Sequence, residues 1–155
     1  MHDTRDHVSK HKNVDDWLES RGHKIIRSKM YVGDLTLLVD QHICIDLKRN
    51  IGELAQNLTT DKNRFRAELQ RAYDAQIILV ILTENNDGIM DISQLPTWVN
   101  PRAVESPLAP SGERLYKISR ALSGAYHTIF AFCDPSATGR IVEATLLNGR
   151  RNKLY

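Results

Sequence analysis

Asp34, Asp46 and Lys48 stand in a stretch, VGDLTLLVDQHICIDLKRN over 32–50, whose remaining residues spell two short strands joined by a turn. Strands disfavour Asp and Lys unless something requires them there. Side chains alternate faces along a strand, so Asp46 and Lys48 share one face while Ile45 and Leu47 take the other. With Asp40, Gln41 and His42 as the turn, Val39 pairs with Ile43 and Asp34 comes opposite Lys48. That register gathers the three charged residues on one side, as neighbours roughly 5–8 Å apart. A slip of one residue would scatter them. Two carboxylates so close repel each other unless a cation lies between them. Oxygen-only ligation by one or two carboxylates, completed by water and substrate phosphate, suits Mg²⁺, with Mn²⁺ able to substitute. A lysine beside such an ion can orient water or stabilise charge developing on phosphorus. The set fits phosphodiester hydrolysis. The spacing alone fits a surface hairpin equally well, its ion pairs worth at most about 1 kcal/mol.

The elements around this stretch define what would hold it. Val14, Trp17 and Leu18 fall at helical spacing, predicting a helix over 13–21 that stops at Gly22, followed by a strand through KIIRSK. IGELAQNL (51–58) places Ile51, Leu54, Ala55 and Leu58 on one face of a short helix. In TTDKNRFRAELQRAYDA, Phe65, Leu69, Ala72 and Tyr73 form the apolar stripe of a longer helix capped by Thr60 or Asp61. QIILVILTE (76–84) is apolar on both faces and reads as a central strand, reached by a right-handed crossover. A long connection over 85–112 carries four prolines and Trp98, which either serves function or pins the loop to the core. A helix ending at Gly124, a strand YHTIFAFC and a final helix between Asp134 and Gly149 complete the chain. The fold class is α/β, with a central mixed β-sheet flanked by helices. Residues 13–155 form one domain, its core motifs over 13–84 and a helix–strand–helix unit over 113–149. Residues 1–12, with His2, His7 and His11 among polar neighbours, read as a flexible tail.

Composition narrows the classes. A chain of 155 residues has room for one core, and a net charge of +2 argues for no polyanionic partner by itself. Basic residues are nonetheless concentrated locally. Lys62, Arg64, Arg66 and Arg71 fall on the predicted crossover helix, with Arg49 just after the charged hairpin. Arg114, Lys117 and Arg120 form a second edge, and Arg150, Arg151 and Lys153 a third. Phosphate contact is one reading of these groups and a solvated helix face is the other. Two cysteines without CxxC spacing give no disulfide framework or zinc site, and point to a reducing cytoplasm. No signal peptide, membrane span, Walker loop or GxGxxG motif is present, so neither a membrane nor a nucleotide cofactor is expected.

Gly33-Asp34, followed twelve residues later by Asp46-Leu47-Lys48, resembles the motif of the PD-(D/E)XK nuclease superfamily, and of its XPF-type branch in particular. IDLKRNIGEL stands where that branch has its second acid and lysine. DKNRFRAELQRAYDAQIILVI is similar to its helix and following strand. The front half, a helix with Glu19 and then GHKIIRS, looks like archaeal Holliday-junction resolvases. FAFCDPSATGRIVEATLL is reminiscent of short phage-encoded nucleases. The sequence departs from the pattern in three places. The second acid is Asp46 where Glu is commoner, Leu47 stands in place of Arg, and Arg27 has no acid after it.

The resemblance implies a restriction-endonuclease-like core and a Mg²⁺-dependent deoxyribonuclease acting on branched or flap DNA, as in repair or recombination, in a bacterial or phage-infected cell. It implies Asp34 and Asp46 as metal ligands and Lys48 as the residue assisting the attacking water. Glu19 would join the metal site, and Glu68 or Gln70 would complete it. Arg49, Lys62, Arg64, Arg66, Lys117 and Arg120 are the candidate DNA contacts. Two alternatives stay open: a nuclease-fold module that binds DNA or protein without cutting, and a site-specific restriction nuclease. Cutting both strands together would take a homodimer.

Overall fold

The computed structural model describes residues 1–5 and 10–151. In chain order the elements are β1 (His2–Asp3), α1 (Lys12–Ser20), β2 (Arg27–Ser28), β3 (Leu35–Leu37), β4 (Asp40–Lys48) and α2 (Ile51–Leu58). They continue as α3 (Lys62–Asp74), β5 (Ile78–Glu84), α4 (Gly112–Tyr126), β6 (Ile129–Cys133) and α5 (Thr138–Arg151). The strands form one mixed sheet in the order β2-β1-β3-β4-β5-β6, with β4, β5 and β6 mutually parallel. This is the expected α/β architecture.

Strand parity sorts the core into two layers. Cys44, Leu79, Ile81, Phe130 and Phe132 face α2, α3 and α4. Ile45, Leu47, Val80, Leu82 and Cys133 face α1 and α5, where Val14, Leu18, Val142 and Leu146 close over them. Ile81, Leu82, Leu54 and Leu69 are at most 1% exposed, and each such side chain contributes about 1.5–3 kcal/mol on burial. Strand β5 is buried along both faces, as its uninterrupted apolar run requires. Among the described residues no helix is long and apolar enough to cross a membrane.

Four local expectations are corrected. The described part of the N-terminal segment is not a solvated tail: β1 lies between β2 and β3, pairing His2 with Arg27 and with Leu35. His2 and His11 are both buried. His2 Nδ1 lies 2.9 Å from an Asp15 carboxylate oxygen, and Arg27 Nη2 donates to the same carboxylate at 2.9 Å. A strand this short is held by backbone bonds, which leave no apolar signature; His7 lies outside the described residues.

The hairpin turn is Leu38–Val39 rather than Asp40–His42, with Leu37 paired to Asp40 and Leu35 to Ile45. A bulge at Thr36/Leu37, tied by Thr36 Oγ1 donating to the Ile43 carbonyl at 2.7 Å, absorbs the difference. The register therefore lies two residues from the expected one. An even shift preserves face, so Asp46 and Lys48 keep theirs.

Helix α4 runs through Gly124 and ends where His127 adopts the left-handed conformation, φ 54°. Gly149 lies inside α5 rather than past its end; its lack of a side chain serves packing, since a Cβ there would fall 2.0 Å from Ile43 Cδ1.

The connection over 85–112 is folded, with short 3-10 helices at Ile92–Thr97 and Pro101–Val104. Trp98 is buried in the core, its Nε1 donating to Asp87 at 3.3 Å, so it does pin the loop. Gly112, opening α4, makes this docking possible. A Cβ at that position would lie 2.2 Å from the Leu95 carbonyl oxygen and 2.8 Å from that of Trp98. Gly112→Ala should therefore destabilise the protein by about 1–3 kcal/mol in urea titrations. Gly124→Ala, where nothing lies within 4 Å, should stabilise it by about 0.5–1 kcal/mol. Equal midpoints for the two variants would refute this packing account.

Candidate active site

The charged residues of β4 open into a cleft of about 450 Å³ at the C-terminal end of that strand. It is walled by β4 with the segment leading into β3, by helices α2 and α3, and by the N-terminal segment. Asp34, Asp46, Lys48 and Glu68 all line it. The parity argument thus places the first three where expected, although through a different register.

Asp46 and Lys48 are only 5% and 7% exposed. Lys48 Nζ donates to Asp46 Oδ1 at 2.9 Å and sits 6.0 Å from the centre of the Phe65 ring. Burial works against the Lys48 ammonium. The carboxylates of Asp46, Asp34 and Glu53 outweigh it and raise its pKa above the ordinary 10.5. Asp46 Oδ2 is buried and has no hydrogen-bond partner. Asp34 is half-buried, and its Oδ2 accepts the Leu47 N–H at 2.8 Å, locking the segment that leads into β3 to β4.

Gly33 supplies the bend that delivers Asp34. Its φ is +69°, and a Cβ would approach the Ile45 carbonyl oxygen to 3.0 Å. The Gly33 N–H donates to Glu68 Oε1 at 2.9 Å, so α3 braces the hairpin through the same carboxylate that lines the cleft.

Two of the expected acid and amide partners lie elsewhere. Glu19 is exposed on α1, which covers the opposite face of the sheet, and it does not line the cleft. Gln70 is exposed on α3 and donates to Asp74 at 2.8 Å. Glu53 is a carboxylate that the sequence reading passed over. It accepts the Arg49 N–H at 3.0 Å and lies 3.4 Å from Lys10 Nζ. Burial pushes its carboxyl pKa up, but that hydrogen bond together with Lys10 and Lys48 brings it below the ordinary value.

Asp3 and Arg5 also line the cleft, although the sequence assigned them to a tail. Arg5 donates to Asp3 Oδ2 through Nε at 2.8 Å and Nη2 at 2.6 Å, and to the Met30 carbonyl at 2.7 Å. The bond to Asp3 raises the Arg5 pKa, and the charges of Glu68 and Asp34 add to the effect.

Of the candidate phosphate contacts, Arg64 lines the cleft, as does Arg71. Lys62 and Arg66 are exposed elsewhere on α3, and Arg49 is exposed with its Nε 3.7 Å from Glu53. On α4, Lys117 pairs with Glu113 at 3.2 Å and Arg120 stacks 6.0 Å over Tyr116. Lys153 lies outside the described residues, as do the side chains of Arg150 and Arg151.

Among the described residues no three His, Cys, Asp or Glu side chains converge as a preformed metal cage. Mg²⁺ does not need one, since it retains waters and takes one or two carboxylates. The donor set fits such an ion, with an unpartnered Asp46 oxygen and Asp34 in one cleft.

The Asp46–Lys48 pair makes its own prediction. Removing one member of a buried pair strands the other's charge. With chelator present, Lys48→Met should lose about 3 kcal/mol in urea titrations, and adding Asp46→Asn should restore most of that loss. Because the Lys48 pKa is raised on folding, the pair's contribution is complete below pH 10.5 and is lost as pH climbs through the folded value. A double variant no more stable than Lys48→Met would show that the two charges do not compensate each other.

No family model matches the chain, and no curated protein does. Among solved structures it is similar to XPF from Aeropyrum pernix, at 21% identity and a TM-score of 0.67. It is likewise similar to XPF from Aeropyrum pernix in complex with DNA, at 21% identity and a TM-score of 0.66. Each match covers 97% of this chain but 64% of the other, so this chain spans just under two thirds of those proteins' length. At that identity the likeness speaks for architecture: the chain has the XPF-type, restriction-endonuclease-like fold.

Proposed function

We propose that this protein is a metal-dependent endonuclease that hydrolyses DNA phosphodiester bonds, with branched or flap DNA as its preferred substrate. The observation that carries the reading is the unpartnered, buried Asp46 Oδ2, set beside Asp34 and Lys48 in a cleft rimmed by arginines. A buried carboxylate oxygen left without a donor is costly unless a cation completes it. Asp34 and Asp46 would hold Mg²⁺ or Mn²⁺, and Glu68 lies in the same cleft. Glu19 has no part in this site. When bound, the cation would supply positive charge to the phosphoryl oxygens and make its own water more acidic.

The chain's own residues do the rest. Lys48, fixed by Asp46 and Phe65, presents its remaining N–H donors to a water approaching phosphorus or to the charge that develops there. Arg5, Arg64 and Arg71 offset the phosphate charge along the cleft. Gly33 and Glu68 hold the Asp34 backbone rigid, which preserves the spacing between the two acids. The preference for branched DNA rests on the XPF-type resemblance. One such site cuts one strand per encounter, and cutting both strands together would take a homodimer.

The test is cleavage of labelled duplex, single-stranded, flap and four-way DNA, with and without Mg²⁺ or Mn²⁺. Cutting should require the metal, favour the branched forms and fall at least about a hundredfold in Asp46→Ala and in Lys48→Ala. Cutting that survives chelation, or both substitutions, would remove the assignment.

A further inference from the structure

Helix α2 has two working faces. Glu53 and Asn57 line the catalytic cleft on one side. Gly52, Ala55, Gln56 and Thr59 line a second cavity of about 360 Å³ on the other. The opposite wall of this cavity is the folded connection, through Asn100, Arg102, Ser106 and Leu108, together with Arg114 from the first turn of α4.

The charge of the second cavity is one-sided. No Asp or Glu lines it, whereas Arg102 and Arg114 both do. Among the described residues neither guanidinium has a carboxylate partner. Arg5, Arg21, Arg27, Arg49 and Arg64 each engage an acid, whereas among the described residues Arg66, Arg71, Arg120 and Arg140 do not, so what sets this cavity apart is two such arginines together with no acid in its lining. The wall is also built rather than incidental. Asn100 is 7% exposed, donates to the Pro110 carbonyl at 2.9 Å and accepts the Arg102 N–H at 3.0 Å, which clamps the loop in a curve around the cavity.

Two arginines without a carboxylate partner beside Ala55, Ala109 and Pro110, with the exposed Leu108 at the rim, match the chemistry of a nucleotide, phosphate on the guanidiniums and sugar or base on the apolar wall. The cavity is far too narrow for a duplex. We propose that it binds the backbone of an unpaired strand leaving the catalytic cleft over α2, and so selects DNA bearing a single-stranded arm. This rests on the nuclease reading above and names the feature of the substrate that is recognised. A helix is about 10–12 Å across. At about 3.4 Å per stacked nucleotide, and more where the strand is unstacked, an arm must be roughly two to three nucleotides long to reach the cavity.

The test measures binding with chelator present, by fluorescence anisotropy over a series of salt concentrations. The DNAs are a blunt duplex and the same duplex carrying a one- or a ten-nucleotide arm. The proteins are wild type, the double variant Arg102→Gln/Arg114→Gln and the charge-conserving Arg102→Lys/Arg114→Lys. The Gln variant should bind the ten-nucleotide-arm DNA about tenfold or more weakly, with its log–log salt slope reduced by about 1.4. The Lys variant should retain most of both. Blunt duplex and one-nucleotide arm should be bound alike by all three proteins. Wild-type affinity and slope in the Gln variant would overturn the proposal. Equal weakening on all three DNAs would overturn it as well. A wild type that binds none of them would fell this proposal together with the nuclease reading. An arm-specific deficit in a protein that cuts without Asp46 would uphold the cavity and reject only the catalytic assignment.

Discussion

A carboxylate and an ammonium lie side by side on β4, each more than nine-tenths shielded from water. Desolvating either charge costs several kcal/mol, and their mutual attraction repays this only where the geometry is good and the remaining valences are satisfied. Lys48 has Asp46 Oδ1 as an acceptor and the Phe65 ring beside it, and keeps further N–H donors for the cleft. The second oxygen of Asp46 has no donor. This imbalance governs the surrounding structure. On the proposed function, a cation shared with Asp34 in the same cleft would supply the missing partner.

Much of the fold serves to hold that pair in place. Strand β4 is parallel to β5, with Asp46 beside Ile81 and Lys48 beside Thr83, so the charges sit at the end of the most buried part of the sheet. Asn50 accepts the Glu53 N–H at 2.8 Å and starts α2 directly after β4, which sets a third carboxylate against Lys48. The left-handed bend at Gly33 and its bond to Glu68 fix the hairpin from the other side. The same helix α2 then serves as the partition between two cavities of opposite character, one acidic with a basic rim and one without acids.

The shared face of Asp46 and Lys48 was legible because it depends only on strand parity. The register was not: it lies two residues from the expected one because of a bulge at Thr36/Leu37, which an alternating strand pattern does not announce. The apolar stripe of α1 identifies a helix but not which face of the sheet it covers, so Glu19 could be placed only once α1 was seen against α5. Glu53 stands in the first turn of a helix whose start was visible in the sequence; its nearness to Lys48 depends on the abrupt join at Asn50. Asp3 and Arg5 were hidden for a different reason. A two-residue strand stabilised by backbone bonds and a buried His2–Asp15–Arg27 cluster carries no periodicity to read.

The most direct measurement is anomalous diffraction at the manganese edge from crystals grown with Mn²⁺. The account predicts an ion within about 2.1 Å of Asp46 Oδ2 and of an Asp34 carboxylate oxygen, with Lys48 still beside Asp46. An ion seated elsewhere, or a cleft that stays free of manganese with Asp46 Oδ2 unpartnered, would contradict it.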